Sequence, residues 1–398
     1  HRRDPTTTMN TTPATDTTTD VDTDVLIIGA GPTGLMLAAE LRLGGAHVIL
    51  TDTLEQPTGQ SRALGFTTRT LETFDQRGLL PRFGPIETQA MGHFGGIPMD
   101  YTILPDANFG ARGIPQSTTE NILTDWATEL GTDLRRGWTY TTHTETDTHI
   151  TATFTTPTGT THLRAHYIVG CDGSHSTVRK TADIDFPGTP ATQTMYLADI
   201  TDTDVKIRLL GERLPTGLVQ VFPMPNNTAR IICTEYDTTP PHDTTTPPDY
   251  HTIATTWKRI TGEDITTATP LWTSTFTDTT RQATTYRKNR TLLAGDAAHI
   301  HLPAGGQGMS TGIQDATNLG WKLAATTQGW APTHLLDTYH QERHPIGKTL
   351  LTNTAAQGLA IFGNHTTQPL RDLYTELLTL PTVAKHIAGT VSHTTIKY

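Results

Sequence analysis

A carboxylate and a glycine-rich loop stand close together late in this sequence of 398 residues. The apolar run Leu292–Ala294 leads into Gly295 and Asp296, and the loop Pro303–Gly308 leads to a helical pattern that starts near Met309. Backbone N–H groups at the start of that helix, and the positive end of its dipole, would face the carboxylate. The pattern predicts a site for a ligand that bears hydroxyl groups and a negative charge.

A glycine loop near the start of the sequence predicts a nucleotide site. An apolar run precedes this loop, a helical pattern follows it, and Asp52 ends the next apolar run. The glycines allow a tight turn and close approach of a pyrophosphate, and an acidic residue about 20 positions further on can bind a ribose hydroxyl. The motif does not separate NAD from FAD. The loop consists of Gly29, Ala30, Gly31, Pro32, Thr33 and Gly34.

Four further positions are candidates for ligand contacts. Asp172 and Gly173 follow an apolar run, and the carboxyl ends of parallel strands are where such sheets bind ligands. Arg62 lies beside a Gly-Phe turn, where it could bind a ligand or remain solvated. Gln116 precedes a predicted helix, where it could face a ligand or close its own loop.

The elements that must position these residues belong to an α/β fold. Continuous apolar runs at 25–29, 47–51, 167–171 and 290–294 predict strands of a parallel sheet that is buried on both faces. Short strands separated by Pro and Thr clusters over 186–280 predict an inserted mixed β-sheet. The chain beyond 330 is predicted to be helical, with one helix over 335–342 and another that begins at Pro345.

These patterns predict the domain organisation. The Thr-, Asp- and Pro-rich start should be disordered, because it contains too little apolar surface to fold. A Rossmann-like domain should carry the glycine loops, and segment 88–113 should contribute to a substrate pocket. The predicted boundaries are 1–23 for the leader, 24–185 and 281–330 for the Rossmann-like domain, 186–280 for the sheet domain, and 331–398 for C-terminal helices packed on the first domain.

Composition excludes several classes of function. The net charge of -10 and the pI near 5.9 argue against nucleic acid or a membrane surface as partner. Cys171 and Cys233 form no CxxC motif, and no export signal or apolar run of about 18 residues is present, so a cytoplasmic protein is expected. No histidine pair at i, i+4 backed by a carboxylate stands out, so no metal site is predicted.

Taken together, the motifs resemble those of class A FAD-dependent aromatic hydroxylases of the para-hydroxybenzoate hydroxylase type. The fingerprints are the 29–34 loop, Asp172-Gly173 and Gly295-Asp296, in that order. Segments 61–66 and 299–308 look more like those of bacterial hydroxylases that act on polycyclic aromatic polyketides of the angucycline, anthracycline or tetracycline type. The resemblance implies a Rossmann-like FAD-binding domain of the glutathione-reductase (GR2) type.

The resemblance also implies a role for each site residue. The 29–34 loop would bind the FAD pyrophosphate, and Asp52 would bind the adenosine ribose. The loop Pro303–Gly308, called the ring loop below, would lie along the isoalloxazine together with Met309. Arg62 and Gln116 would contact the pyrophosphate and ribityl side, and Asp296 would bind the ribityl hydroxyls. Asp172 and Gly173 would contact both FAD and NAD(P)H. Within the ring loop, the implied contacts with the flavin ring are those of Pro303, Gly305, Gly306 and Gly308.

The implied activity is NAD(P)H-dependent hydroxylation of an aromatic polyketide by O2, through a flavin C4a-hydroperoxide. Baeyer–Villiger oxygen insertion is an alternative, and a catalytically weak or silent flavin- or polyketide-binding protein is another. The silent reading is motivated by Ser310, which stands where relatives carry Asn, and by the expected absence of their thioredoxin-like C-terminal domain. The sequence assigns no catalytic side chain and does not distinguish NADH from NADPH, or a monomer from a homodimer.

Overall fold

The computed structural model describes residues 21–105, 109–240 and 246–398. Most of the predicted leader, and parts of the predicted pocket and sheet segments, therefore lie outside the described residues. The leader boundary at 23 is wrong, because Thr23 is buried and begins the first strand. Its hydroxyl donates to His47 O at 2.8 Å, and the Asp22 carboxylate accepts from Arg164 N at 2.7 Å, so neighbouring strands supply the partners that order this segment.

Helices follow single strands or groups of strands in the first half of the described chain. The helices are α1 Pro32–Leu43, α2 Thr68–Gln76, α3 Gln116–Glu129, α4 Thr177–Thr181, α5 Tyr250–Thr261, α6 Gly308–Thr327, α7 Asp337–Ile361, α8 Gln368–Leu377 and α9 Pro381–Val391. The strands are β1 Thr23–Ile28, β2 Val48–Asp52, β3 Leu64–Phe66, β4 Met91–Phe94, β5 Ile97–Asp100, β6 Ala111–Pro115, β7 Asp133–Arg136, β8 Thr139–Glu145, β9 Ile150–Thr156, β10 Gly159–Gly170, β11 Gly188–Thr189, β12 Thr194–Thr201, β13 Arg208–Leu214, β14 Gly217–Met224, β15 Thr228–Glu235, β16 Thr269–Thr277, β17 Thr280–Gln282, β18 Arg287–Lys288, β19 Thr291–Leu293 and β20 His299–Ile300.

The first sheet has a parallel core in the order β19-β10-β1-β2-β7, with β18 antiparallel at its edge and β8 and β9 attached through β10. Ile28 lies opposite Thr51 and Gly170, and Gly170 lies opposite Leu293. The carboxyl ends of four strands therefore meet at one edge, and the predicted motifs follow directly from those ends. The predicted α/β class is confirmed.

Helices α1 and α6 pack against each other beside this sheet, and their contact requires glycine. A Cβ added at Gly320 would collide with Glu40 Cβ, and one added at Gly44 would collide with Ala324 Cβ. The buried apolar core of this region includes Leu35 and most of the apolar residues of α1 and α6. Close packing of the two helices sets the positions of both N-termini.

The second sheet has the order β13-β14-β15-β12-β16, and α5 packs on one face through Trp257 and its neighbours. Every pairing in this sheet is antiparallel, so the mixed sheet predicted from the sequence is wrong. The turns that join β13 to β14 and β14 to β15 are too short for the crossover that parallel strands require.

The C-terminal part contains one long helix where the sequence predicted two. Helix α7 runs from Asp337 to Ile361 with Pro345 inside it. Gln282 Nε2 donates to His344 O at 2.8 Å, and His344 Nε2 lies 3.1 Å from Ala283 O. These contacts with a distant segment hold the helix where proline removes a backbone donor.

Candidate functional site

In the first glycine loop, close packing requires glycine at two positions, whereas the third position has open space beside it. An added Cβ would collide with Cys171 O at Gly29, whose φ is +103°, and with Gly29 O at Gly34. Gly31 has an extended backbone, and an added Cβ there would meet no atom within 4 Å. The space over Gly31 is the cradle that a closely approaching pyrophosphate would fill.

Two helix N-termini converge on this loop. Helix α1 begins at Pro32 and α6 begins at Gly308, and neither has a side-chain cap. An added Cβ at Gly295 would lie 2.7 Å from Thr33 Oγ1, and one at Gly312 would collide with the same atom. Thr33 therefore brings the first loop, the Gly295-Asp296 motif and α6 into contact. Backbone N–H groups that their helices leave unpaired are available to an anion here.

Asp52 ends β2 beside the glycine loop, as predicted. Its carboxylate accepts from Ala30 N at 2.7 Å and from Leu54 N at 2.8 Å. Glu120, on α3, is a neighbouring carboxylate whose spacing from Ser117 fits a capping box, although α3 begins before Ser117. The pKa of Glu120 is raised above its ordinary value, mainly by burial and also by the charge of Asp52. A hydrogen bond from Gln116 and the charge of Arg136 oppose this rise. The spacing of one helical turn from Gln116 was the available signal.

Gln116 closes its own loop, which is one of the two roles open from the sequence. Its backbone N donates to Ala63 O at 3.0 Å, its Oε1 accepts from Ala63 N at 3.3 Å, and its Nε2 donates to Glu120 Oε1 at 2.8 Å. Arg62 has an exposed side chain, and its carbonyl oxygen accepts from Arg230 Nη1 at 3.3 Å. Contacts of Gln116 and Arg62 with FAD remain predictions.

Asp172 caps a helix of its own. Its carboxylate accepts from Ser176 Oγ at 2.5 Å, Thr177 N at 2.8 Å and Val178 N at 3.1 Å. Gly173 has φ +78°, and an added Cβ there would meet no atom within 4 Å. The carboxylate orders the loop that presents Gly173, while contacts of this motif with FAD or NAD(P)H remain a prediction.

Asp296 follows the carboxyl end of β19. Its side chain is exposed, yet the surrounding protein raises its pKa by desolvation, and the charges of His299 and Arg62 oppose that rise. The glycine before it has φ +63°, which turns the chain sharply after β19. An exposed carboxylate in this position could accept hydrogen bonds from the hydroxyl groups of a bound ligand.

A buried ion network holds the Gly295-Asp296 motif in place. The Asp315 carboxylate accepts from Gly295 N at 3.2 Å and from Arg343 Nε at 2.6 Å, and it lies 2.6 Å from His299 Nε2. Burial alone would raise the pKa of Asp315, but Arg343 and His299 lower it below its ordinary value. No sequence pattern indicated this network, because its members come from β20, α6 and α7.

The ring loop presents an exposed side and a buried side. Pro303 and Gly306 are exposed, and an added Cβ at Gly306 would meet no atom within 4 Å. Gln307 is buried, while His301 Nε2 would lie 3.3 Å from a Cβ added at Gly308. Two of the predicted ring contacts thus lie on the open side of the loop.

Ser310 and Met309 occupy the first turn of α6. Ser310 is fully buried, and its Oγ accepts from Thr67 N at 3.0 Å. Its hydroxyl therefore fastens the residue before α2 to α6. Met309 is partly buried against the main core.

The residues that the structure describes contain no group of three His, Cys, Asp or Glu side chains that could hold a metal ion. His340 and His344 form a histidine pair one turn apart on α7 that did not stand out in the sequence, and their ring centroids lie 4.7 Å apart. Tyr286 N donates to His340 Nδ1 at 3.2 Å, and His344 contacts Ala283 O. Among the described helices, none is long and apolar enough to cross a membrane.

The FAD binding domain family matches residues 22–354. The 12-dehydrotetracycline 5-monooxygenase/anhydrotetracycline 6-monooxygenase of Streptomyces rimosus is 40% identical over 391 residues, which cover 94% of this chain and 77% of that protein. The chain belongs to this family of FAD-dependent monooxygenases.

Other relatives show the range of the family. The crystal structure of CabE, an aromatic hydroxylase from angucycline biosynthesis, superposes with a TM-score of 0.92 at 50% identity, covering 95% of this chain and 77% of that one. A dialkyldecalin synthase of Streptomyces rugosporus is 38% identical over 380 residues, covering 92% of this chain and 79% of that protein. The relatives therefore include proteins named as monooxygenases or hydroxylases and one named as a synthase.

The residues present fit FAD. The cradle over Gly31 and the uncapped start of α1 suit a pyrophosphate, and Asp52 and Asp296 suit hydroxyl groups on either side of it. The uncapped start of α6 suits a ring that gains negative charge on reduction.

Proposed function

We propose that this monooxygenase hydroxylates a polycyclic aromatic polyketide, with NAD(P)H as a transient electron donor and O2 as co-substrate. The observation that carries the proposal is the convergence of three motifs and two uncapped helix N-termini at one edge of the parallel sheet. The similarity to the S. rimosus enzyme and to CabE supports the aromatic class of substrate.

FAD, when bound, supplies the redox chemistry: two electrons from NAD(P)H reach O2, one oxygen atom enters the ring, and the other leaves as water. Gly31 and the first turn of α1 would bind the pyrophosphate, and Asp52 would accept from the adenosine ribose. Asp296 would accept from the ribityl hydroxyls. Arg62, whose charge opposes the burial-driven rise in the pKa of Asp296, would bind the same part of the cofactor.

The ring loop and α6 would provide the electrostatic part of the site. The first N–H groups of α6, from Gly308 onward, have no side-chain cap, and the dipole of a 20-residue helix adds positive potential at this end. Negative charge that develops nearby would be stabilised without rearrangement of the protein. Pro303 and Gly306 would exclude water from one side of the ring.

The second sheet offers a surface for a planar substrate. Val221 and Ile231 pack against α5, and because side chains alternate along a strand, Gln220, Phe222 and Ile232 face the other side. These three residues are half-buried, and Gln220 lies opposite Ile232 in register. The same face also carries the buried Asp199–Arg230 ion pair, since Arg230 lies opposite Phe222. A face that combines apolar side chains, an amide and an ion pair suits a fused aromatic ring system that carries a few oxygen substituents.

The test uses purified protein with NADPH, 18O2 and a panel of tetracyclic and angucyclic phenols that includes anhydrotetracycline. We expect a yellow protein, NADPH oxidation that one phenol stimulates, and a product with one 18O atom as a ring hydroxyl. An ester or lactone product would establish Baeyer–Villiger insertion instead.

A non-redox activity is the second candidate, and similarity to the dialkyldecalin synthase favours it over a silent protein. Protein that binds FAD tightly yet oxidises no NADPH with any compound of the panel would support this candidate and exclude the first. Conversion of the compound without O2 would identify it directly.

A further inference from the structure

A chain of buried hydrogen bonds passes behind the ring loop. Gly95 N donates to Gln357 Oε1 at 3.1 Å, and Gln357 Nε2 donates to Asn353 Oδ1 at 2.7 Å. Gln307 Nε2 donates to the same Asn353 oxygen at 3.4 Å, and Gln307 Oε1 lies 3.3 Å from His393 Nε2. The chain thus joins the β4–β5 hairpin to the ring loop and to the turn after α9.

The far end of the chain returns to α6. Gln314 Nε2 lies 2.9 Å from His393 Nδ1 and also donates to Thr70 Oγ1 at 3.2 Å. Thr70 in turn donates to Ser310 O at 3.4 Å. Both sides of the first turn of α6 are therefore tied to His393 or to its partners.

The partners of His393 define its tautomer. An amide nitrogen can only donate, so Nδ1 accepts from Gln314 and Nε2–H donates to Gln307. Burial lowers the pKa of His393 to about 3, so the ring is neutral and can act as both donor and acceptor. With Oε1 bound to His393 and Nε2 donating to Ala304 O at 3.1 Å, the Gln307 amide has a single orientation.

The backbone at His393 shows that the fold maintains this contact at a cost. Its φ is +64°, in the left-handed region that is unfavourable for a side chain with a Cβ. The residue is nevertheless 4% exposed, with all of its ring polar atoms bonded. Val391 and Gln357 approach the same loop, at 3.5 and 3.7 Å from a Cβ added at Gly305.

We propose that His393 is a positioning residue that holds the ring loop, through Gln307, in the conformation that binds the flavin ring. The inference rests on the proposed function, because it takes the ring loop to lie beside the isoalloxazine. The same chain keeps the β4–β5 hairpin, which belongs to the predicted pocket segment, in register with that loop. Binding of the ring and one wall of the pocket would thus depend on one imidazole.

The test compares His393→Phe with His393→Gln. Phenylalanine fills the space but removes the partner of Gln307 Oε1 and one of the two partners of Gln314 Nε2, whereas glutamine can accept at one end and donate at the other. We expect the phenylalanine variant to bind FAD at least about 10-fold more weakly and to alter the visible circular dichroism of the bound flavin. The glutamine variant should stay within about 3-fold of the unchanged protein.

His143→Phe is the matched control. His143 also uses both ring nitrogens, against Tyr140 OH at 2.6 Å and Thr291 Oγ1 at 3.1 Å, but it lies on β8, away from the ring loop. This control should lower the melting temperature of the apoprotein and leave FAD affinity unchanged. A general loss of stability would instead weaken FAD binding equally in both phenylalanine variants, which would overturn the inference.

Two results for His393 would also overturn it: wild-type FAD affinity and dichroism in His393→Phe, or a glutamine variant as weak as the phenylalanine one. Where His393→Phe does not fold, Asn353→Leu removes the acceptor shared by Gln307 and Gln357, and unchanged FAD affinity in that variant overturns the inference. Wild-type protein that binds FAD but never oxidises NADPH would refute the proposed function alone, since these measurements need only FAD.

Discussion

The two sheets bury polar groups in different ways. In the parallel sheet, Asp52 ends a strand, and Asp172 and Asp296 closely follow strand ends. Asp52 and Asp172 accept hydrogen bonds from backbone N–H groups, and Asp296 is exposed. In the antiparallel sheet, Asp199 and Arg230 pair within the sheet face, from Nε to Oδ1 at 2.7 Å and from Nη2 to Oδ2 at 2.8 Å.

The two sheets differ in whether the residues of a site are close together or far apart in the sequence. A strand-end site uses residues that are close in sequence, because the loop and its strand are continuous. A site on a sheet face uses residues brought together by pairing: Asp199 lies opposite Arg230 on one side and Trp272 on the other, and Trp272 Nε1 donates to Asp199 at 2.7 Å. Arg230 also donates to Arg62 O, so this face supports a residue that is predicted to contact FAD.

The largest effect is expected at Asp315, which supports the parallel sheet's site. Asp315→Leu would leave Arg343 buried without its carboxylate, so we expect the free energy of unfolding to fall by about 3–5 kcal/mol in urea titrations. The exposed pair Arg135–Asp133 is the control, since its loss should cost less than about 1 kcal/mol. Similar losses of unfolding free energy at the two pairs would contradict the view that burial makes the Asp315–Arg343 pair more important for stability.

Arg230→Met tests the other sheet. Asp199 would keep the indole N–H of Trp272, so we expect a loss of about 2–3 kcal/mol of unfolding free energy, smaller than at Asp315. FAD affinity should also fall, because the Arg62 carbonyl loses its donor. Trp272→Phe removes one hydrogen bond and should leave FAD affinity unchanged. Unaltered FAD binding in Arg230→Met would show that the two sites are independent.

A change of pH tests whether the region around the ring loop is the acid-sensitive part. Burial lowers the pKa of His93 to about 4, below its ordinary value near 6.5. This histidine therefore contributes stability above pH 6.5 that is lost as the pH falls towards 4, by up to about 1.4 kcal/mol per pH unit. Urea titrations of His93→Gln should show a shallower decline over this range and the same slope at pH 7–8. An equal decline in both proteins would contradict the prediction.

Gly31→Ser should give the smallest change in stability and a specific change in binding. Serine is favourable at a helix N-cap, and the space beside Gly31 is open, so unfolding of the apoprotein should change by less than about 0.5 kcal/mol. FAD should bind about 10-fold more weakly, because the hydroxymethyl group occupies the cradle. Gly34→Ala, which collides with Gly29 O, should instead destabilise the apoprotein. Unchanged FAD affinity in Gly31→Ser would show that the pyrophosphate does not bind beside Gly31.

Much of the parallel sheet could be predicted because its signals are local. A buried apolar run such as 25–28 is a strand whichever partner it finds, and the residues that follow must lie at its carboxyl end. Predictions from local sequence rules failed where contacts with residues distant in the sequence determined the structure. Pro345 is tolerated inside α7 because Gln282 and Ala283 contact the adjacent turn, and no pattern near the proline reveals this.

The sequence by itself determined the family, the FAD-binding architecture and the chain positions of the motifs, since each motif is a short run whose backbone geometry follows from its own residues. Only the tertiary structure decided that Asp315 holds Gly295, that Arg230 supports Arg62, and that His393 orients Gln307. These pairs are separated by 20, 168 and 86 positions. Their members are ordinary polar residues whose contacts depend on how helices and sheets pack, which no spacing rule encodes.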